Sequence, residues 1–200
     1  MSYIRLEKDA DGIVELIFDQ QGKSVNVMGD EYAQAMPKAL DEIEAMDELK
    51  GVYVRSGKPG QFFAGGDISM MMEMDLNPSE QERQTMFEGI LEAKAPLARL
   101  EKLGVPIAVG INGAALGGGY EIALACHQRF ALDDKSVKIG LPEAMLGLMP
   151  GAGGVVRMVR MLGRQDALTL RSQGKQLNAQ KALEKGLVHE LVSSEEEMAQ

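Results

Sequence analysis

The sequence predicts an α/β fold with mostly parallel strands, and three observations carry that prediction. Short β-branched runs alternate with helical apolar spacing along the chain and are joined by short connections, the pattern of successive βα units. Pro106 to Ile111 is a continuous apolar run, as expected of a strand covered on both faces. Directly after it, Asn112-Gly113-Ala114-Ala115-Leu116-Gly117-Gly118-Gly119-Tyr120-Glu121 enters a helix through three consecutive glycines. Glycine costs about 1 kcal/mol against alanine in a helix interior, so the triplet points to unusual dihedrals or to close approach of a ligand. The unpaired N–H groups of a first helical turn, with the helix dipole behind them, suit such a turn to an oxyanion.

The elements follow in order. Ile4 to Lys8 and Ile13 to Phe18 alternate around the turn Ala10-Asp11-Gly12 and read as a hairpin. Tyr32, Met36, Leu40 and Ile43 give Asp30 to Met46 helical spacing, with Asp30 as N-cap and Pro37 marking a kink or the true start. Gly51 to Ser56 is a short strand, and the glycine-rich loop Gly57 to Asp67 follows at its carboxyl end, where backbone is presented to ligands. Met70 to Met74 read as a short helix. Ser79 with Glu82 fits a capping box opening a long helix towards Leu103, interrupted at Pro96. Beyond the central helix, Arg129 to Leu132 and Val137 to Ile139 are short strands flanking the turn Asp133-Asp134. Val155 to Leu162 is a basic amphipathic helix, followed by short helices around Leu168 to Arg171 and Ala179 to Glu184 and a last strand, Leu187 to Val192. Ser194-Glu195-Glu196-Glu197 is a second capping-box signal, read as a helix start that the chain does not continue.

Two hundred residues, 45% apolar and 26% charged, suffice for a single domain over 1–200 with a sizeable core. Trp is absent and there are only four Tyr and five Phe, so the core is expected to rest on aliphatics, alanine and the 14 Met. A net charge of −9 without extended basic runs argues against nucleic acid or an anionic membrane as partner. A single Cys excludes an intrachain disulfide and a cysteine-based metal cluster, and no metal site is expected. The N-terminus alternates apolar and charged residues, unlike a signal peptide, and no apolar run is long enough to span a bilayer. A cytoplasmic location is the expectation.

Three segments carry the chemistry: Phe62-Phe63-Ala64-Gly65-Gly66-Asp67-Ile68, the glycine triplet with Glu121, and Gly140-Leu141-Pro142-Glu143 continuing to Gly147-Leu148-Met149-Pro150-Gly151-Ala152-Gly153-Gly154. Together they resemble the crotonase (enoyl-CoA hydratase/isomerase) superfamily, over about Asp11 to Leu191. More narrowly, they are similar to the N-terminal hydratase part of the bacterial multifunctional fatty-acid oxidation α subunit. The resemblance implies the ββα spiral of the ClpP/crotonase fold and syn addition of water to a trans-2-enoyl-CoA in β-oxidation, with Δ3-Δ2 isomerisation at the same carboxylates. It implies that Glu121 activates water and that Glu143 gives or takes the α-proton. The backbone N–H groups of Ala64 and Gly118 match the family's thioester oxyanion hole. Ala64, Gly65, Gly66, Asp67, Ile68, Gly117, Gly118, Leu141, Pro142 and Gly151 match its substrate-binding positions. It further implies no cofactor within this chain, coenzyme A being part of the substrate, and NAD only where a longer chain carries a dehydrogenase domain. It implies a homo-oligomer or, in the full-length protein, a complex with a thiolase subunit. The family's C-terminal helices are missing, so the chain reads as a truncated fragment of a longer one.

Several positions depart from the family pattern or carry a plainer reading. Gly66 stands where alanine is common, Ser69-Met70 where Lys-Glu is usual, and Tyr120 where a smaller residue is frequent, close enough in sequence to shape the pocket floor. Without the family pattern, Glu143 reads as a helix N-terminal charge after Pro142. Burial raises a carboxylate's pKa and a helix N-terminus lowers it, so the two effects compete at Glu121. Gly151 to Gly154 is not a dinucleotide loop, because Val156 occupies the place of the final glycine. Arg157 and Arg160 share a helix face expected to be solvated or ion-paired. Cys126 and His127 are adjacent and make a poor nucleophile–base pair. Two other functional readings remain open: a different enolate reaction on an acyl-CoA, and a non-catalytic acyl-CoA-binding or assembly module.

Overall fold

The computed structural model describes residues 3–67 and 77–199. Its strands are Ile4–Lys8 (β1), Ile13–Phe18 (β2), Gly51–Ser56 (β3), Ile107–Ile111 (β4), Ala114–Leu116 (β5), Gln128–Leu132 (β6), Lys138–Gly140 (β7) and Glu190–Val192 (β8). Its helices are Asp30–Glu44 (α1), Glu80–Leu100 (α2), Gly118–Ala125 (α3), Gly154–Leu162 (α4), Arg164–Ser172 (α5), Ala179–Glu184 (α6) and Glu195–Met198 (α7), with a 3-10 turn at Pro142–Leu146.

Six strands form one sheet in the order β1-β2-β3-β4-β6-β8. The β1–β2 pair is antiparallel, with Ile4 opposite Phe18, and every later pairing is parallel. Val14, Leu16 and Phe18 of β2, Val52 and Val54 of β3 and Val109 of β4 share a core with Tyr32, Met36, Leu40 and Ile43 of α1 and with Leu97 and Leu100 of α2. The opposite face carries Glu15 and Arg55, ion-paired at 2.6 Å. There Gly110 is overlain by Tyr53 and by Met198 of α7, which is buried. The last helix signal thus yields a single turn, capped by Ser194 accepting from the Glu197 N–H.

A second, smaller layer runs beside the main sheet. The strands β5 and β7 pair in parallel, Phe63 bridges to Ala115 on one side, and Leu177 bridges to Ile139 on the other. The strands β6 and β7, adjacent in sequence, therefore do not form a hairpin. The turn between them, where Asp134 accepts from the Ser136 N–H, carries the chain from one layer to the other.

Other boundaries shift for local reasons. The cap of α1 is Gly29 in extended backbone, and Asp30 and Glu31 lie in the first turn, where the dipole favours acids. That helix runs through Pro37, and α2 runs through Pro96 from the expected Ser79–Glu82 capping box. The final strand is shorter than Leu187 to Val192 because the Leu187 carbonyl accepts from Tyr120 and Arg129 side chains rather than from a ladder. The Met70–Met74 segment lies outside the described residues.

The few aromatics are concentrated rather than scattered. Tyr3, Phe18, Tyr32 and Phe63 form a continuous edge-packed cluster, with Phe18 and Phe63 centroids 5.3 Å apart. Among the described methionines, Met36, Met158 and Met198 are buried and Met28, Met46 and Met161 pack against the core, while Met145 and Met149 are 72% and 68% exposed.

One buried polar residue ties these layers together. Asn26 donates from Nδ2 to the Phe18 and Phe62 carbonyls and to Ser56 Oγ, and its Oδ1 accepts from the Gln20 N–H at 2.9 Å. Asn26→Ala strands these groups, at about 1–3 kcal/mol for a buried unpaired polar group, so a loss of about 2–4 kcal/mol is expected from urea unfolding. An unchanged midpoint would show that water replaces the side chain.

Candidate active site

The site is assembled where the loop after β3 docks along β5. Phe63 donates to the Ala114 carbonyl at 2.8 Å and accepts from the Leu116 N–H at 3.2 Å, which fixes a parallel register. Continuing that register from the Phe63–Ala115 bridge places Gly65 beside Gly117 and Gly66 beside Gly118. Gly65 has φ 103°, and a Cβ there would lie 2.8 Å from the Leu116 carbonyl oxygen.

The three glycines serve different ends. Gly117 has φ 51° and forms the N-cap of α3. Gly119 is pressed on the protein itself, since a Cβ would meet the Phe63 carbonyl oxygen at 2.3 Å. At Gly118 a Cβ would first meet the flexible end of Met28, at 3.1 Å. Its N–H, in the first turn of α3, has no acceptor among the described residues.

The expected donor Ala64 is corrected. Its N–H already bonds the Asn26 carbonyl at 2.9 Å, so that hydrogen is committed to the fold. Gly66 differs. Met28 pairs with it through the flanking groups, donating to the Gly65 carbonyl and accepting from the Asp67 N–H, so the N–H of Gly66 itself points away from Met28. It has no acceptor among the described residues and lies on the side where Gly118 runs alongside.

Glu121 sits in the first turn of α3 and is 3% exposed. Its Oε1 accepts from the Ala152 N–H at 2.9 Å and the Gly154 N–H at 2.7 Å. Burial raises its pKa, opposed by the Gly154 and Ala152 bonds, by the Arg157 charge and by the Gly151 N–H. Glu143 projects from the 3-10 turn opened by Pro142, with Oε1 3.0 Å from where a Cβ on Gly117 would stand. Its Oε2 is buried without a hydrogen bond. Desolvation pushes it up to about 7, against its own backbone N–H, and the Glu121 charge adds to the rise. The two carboxyl groups therefore flank the N-terminus of α3 in contrasting surroundings.

The other expected positions divide. Leu141 is buried against the Gly154 backbone beside Glu121. Asp67 pairs with Lys23 at 3.2 Å. Gly151 is exposed, and Ile68 lies outside the described residues. Tyr120 does not shape a pocket floor: it is fully buried and donates to the Leu187 carbonyl at 2.8 Å. Burial pushes the Cys126 thiol up to about 12, and it bonds the Ile122 carbonyl, while His127 Nδ1 accepts from the Ile107 N–H. Asn26 and Met28 were not singled out as site-forming from sequence, and Gly66 was expected to bind substrate but not to supply the oxyanion-hole donor. The available signal was a lone amide in the run Val25-Asn26-Val27. Among the described residues, no helix is long and apolar enough to cross a membrane, and no group of three or more His, Cys, Asp or Glu is placed to hold a metal ion.

A carboxyl group whose folded pKa is raised binds a proton more tightly when folded, so folding loses stability as pH rises from the unfolded value near 4.5 through about 7. Glu143→Gln is expected to leave stability unchanged near pH 4. Allowing for solvent screening of this partly exposed group, it should raise stability by about 1 kcal/mol above pH 8. Thermal unfolding at the two pH values checks this, and equal effects at both would contradict it.

Residues 9–200 match the family described as Enoyl-CoA hydratase/isomerase. The chain is 40% identical over 191 residues to the fatty acid oxidation complex subunit alpha of Idiomarina loihiensis, covering 94% of this chain and 26% of that one. It is 39% identical over 187 residues to the subunit of the same name from Shewanella frigidimarina, with the same coverage. The chain thus spans about a quarter of the length of the curated relatives it matches. Among solved structures, an enoyl-CoA hydratase from Bacillus anthracis aligns with TM-score 0.86 and 29% identity over 99% of this chain and 74% of that one. One from Thermoplasma volcanium aligns with TM-score 0.86 and 26% identity over 100% and 75%. Sequence match, shared fold and the paired carboxyl groups at a glycine-opened helix agree: the chain belongs to the enoyl-CoA hydratase/isomerase family.

Proposed function

We propose that this chain is a hydratase unit of fatty-acid β-oxidation that adds water, syn, across the double bond of a trans-2-enoyl-CoA. The observation that carries the reading is the contrast between the two carboxyl groups beside the N-terminus of α3. Burial raises the pKa of both, but at Glu121 it is opposed by two N–H groups and the Arg157 charge, whereas Glu143 Oε2 has no hydrogen bond and the group is pushed up to about 7. One base and one acid on neighbouring walls are what addition of water to a conjugated thioester requires.

In this reading the thioester oxygen takes the N–H groups of Gly66 and Gly118, which stabilise negative charge as the enolate forms. Glu121 accepts a proton from water as its oxygen bonds the β-carbon, and protonated Glu143 gives its proton to the α-carbon. Hydroxyl and hydrogen are thereby added across the double bond; Glu121 is left protonated and Glu143 ionised, and Glu121 gives up its proton and Glu143 regains one before the next turnover. The exposed Leu146, Leu148 and Met149 beside Glu143 supply apolar surface for an acyl chain. The chemistry needs no cofactor beyond the coenzyme A of the substrate. NAD enters only if a longer chain carries a dehydrogenase domain. A single hydratase domain over 1–200, a homo-oligomer or a complex with a thiolase subunit, and a cytoplasmic location complete the proposal.

Hydration of crotonyl-CoA, followed by loss of the conjugated-enoyl absorbance, tests it. Glu121→Gln and Glu143→Gln are each expected to lower kcat by about 10²–10⁴-fold, the usual worth of a positioned acid or base. The wild-type profile should be bell-shaped, falling on the acid side as Glu121 protonates and on the alkaline side above about pH 7 as Glu143 loses its proton. Equal activity in all three proteins would overturn the assignment. Coenzyme A thioester binding without turnover would support a binding module instead.

A further inference from the structure

The two N–H groups on Glu121 belong to a loop with little means of holding its own shape. Gly151 to Gly154 contains three glycines and one alanine, and Gly153, at φ 98°, caps α4 without a side-chain bond. Ala152 and Gly154 nevertheless converge on one oxygen, Oε1. Arg157, in the first turn of α4, folds back so that Nη1 donates to the Ala152 carbonyl at 2.9 Å. The Ala152 residue is thereby gripped at both ends, its N–H on Glu121 and its carbonyl on Arg157. The other edge of the guanidinium meets Glu101, which closes α2, with Nε and Nη2 at 3.2 and 2.9 Å from Oε2.

A cation in the first turn of a helix is opposed by the helix dipole, and this one is only 11% exposed. Arg160, on the same face, is solvent-exposed. Local preference is therefore broken at Arg157 alone of the two, next to the site, which marks a positional constraint rather than a solvated surface.

We propose that Arg157, braced by Glu101, is a positioning residue for Glu121: it locks the Gly151–Gly154 loop so that two N–H groups converge on the carboxylate, keeping Glu121 ionised to accept a proton from water. The last clause rests on the hydratase reading; the hold on Glu121 does not. Among the described residues, the titratable groups that interact with Glu121 are the Glu143 carboxyl from the 3-10 turn, the Tyr32 phenol from α1 and Arg157 from α4. Of these only Arg157 is cationic.

The test is a carboxyl ¹³C NMR titration of the chain labelled at the glutamate side-chain carboxyl carbon, with the Glu121 signal assigned by its loss in Glu121→Gln. Arg157→Met is expected to tighten proton binding at Glu121 about tenfold. Arg157→Lys keeps the charge without the planar fork and should fall between Met and wild type. Glu101→Gln, which leaves the arginine but removes its brace, should shift the midpoint in the same direction by less. In crotonyl-CoA hydration, Arg157→Met should lower kcat with KM held, and the acid limb should move to higher pH with the NMR midpoint. An unmoved midpoint and acid limb in both Arg157→Met and Glu101→Gln would overturn the proposal, even if activity fell. If Arg157→Met does not fold, Glu101→Gln decides alone. A wild-type chain that titrates as expected but hydrates nothing would defeat the hydratase reading and leave the hold on Glu121 standing.

Discussion

The site depends on one close approach, the parallel docking of the Phe63–Gly66 segment along β5 and the first turn of α3. Main chain meets main chain here with no room for side chains: Gly65 lies against the Leu116 carbonyl, and Gly119 against that of Phe63. The aromatic cluster holds Phe63 from behind, and Asn26 ties the same segment to the ends of β2 and β3. Because backbone, not side chains, makes this contact, two N–H groups, those of Gly66 and Gly118, are left over on one side of it. The glycines are thus a packing requirement whose by-product is an anion-seeking pair of donors.

Charge follows the same helix. At its N-terminus, α3 carries Glu121 in the first turn. At its C-terminus, the buried Arg129 guanidinium donates to the Cys126 carbonyl at 2.8 Å, and it shares the Leu187 carbonyl with Tyr120. An acid at the start and a cation at the end match the helix dipole, so a short helix of eight residues is held firmly at both ends. That rigidity matters because Glu121 and Glu143 differ in environment more than in chemistry. Desolvation raises the pKa of both, but two N–H donors and the Arg157 charge oppose it at Glu121, while Glu143 Oε2 has no hydrogen bond to oppose it.

Much of this was legible in the sequence. Alternation gave the hairpin, a continuous apolar run gave the buried strand, Ser79 with Glu82 gave the capping box, and the glycine triplet marked the start of α3 with Glu121 behind it. What could not be read is where hydrogen bonds go. Nothing in Ala64-Gly65-Gly66 tells which N–H the fold consumes, because that is decided by Asn26 and Met28, about forty residues earlier. Likewise nothing in the turn Asp133-Asp134 tells that β6 and β7 join different sheets, and the expected ion pair of Arg157 has no identifiable partner until Glu101 is beside it. Local pattern fixes elements; long-range pairing assigns donors.

The measurement that tests the central claim most directly is the response of backbone amides to a bound thioester. In a ¹⁵N-labelled chain titrated with crotonyl-CoA or its hydrated product, the Gly66 and Gly118 amide protons should move downfield together, while that of Ala64, committed to Asn26, stays in place. Movement of Ala64 with Gly66 unmoved would contradict the account.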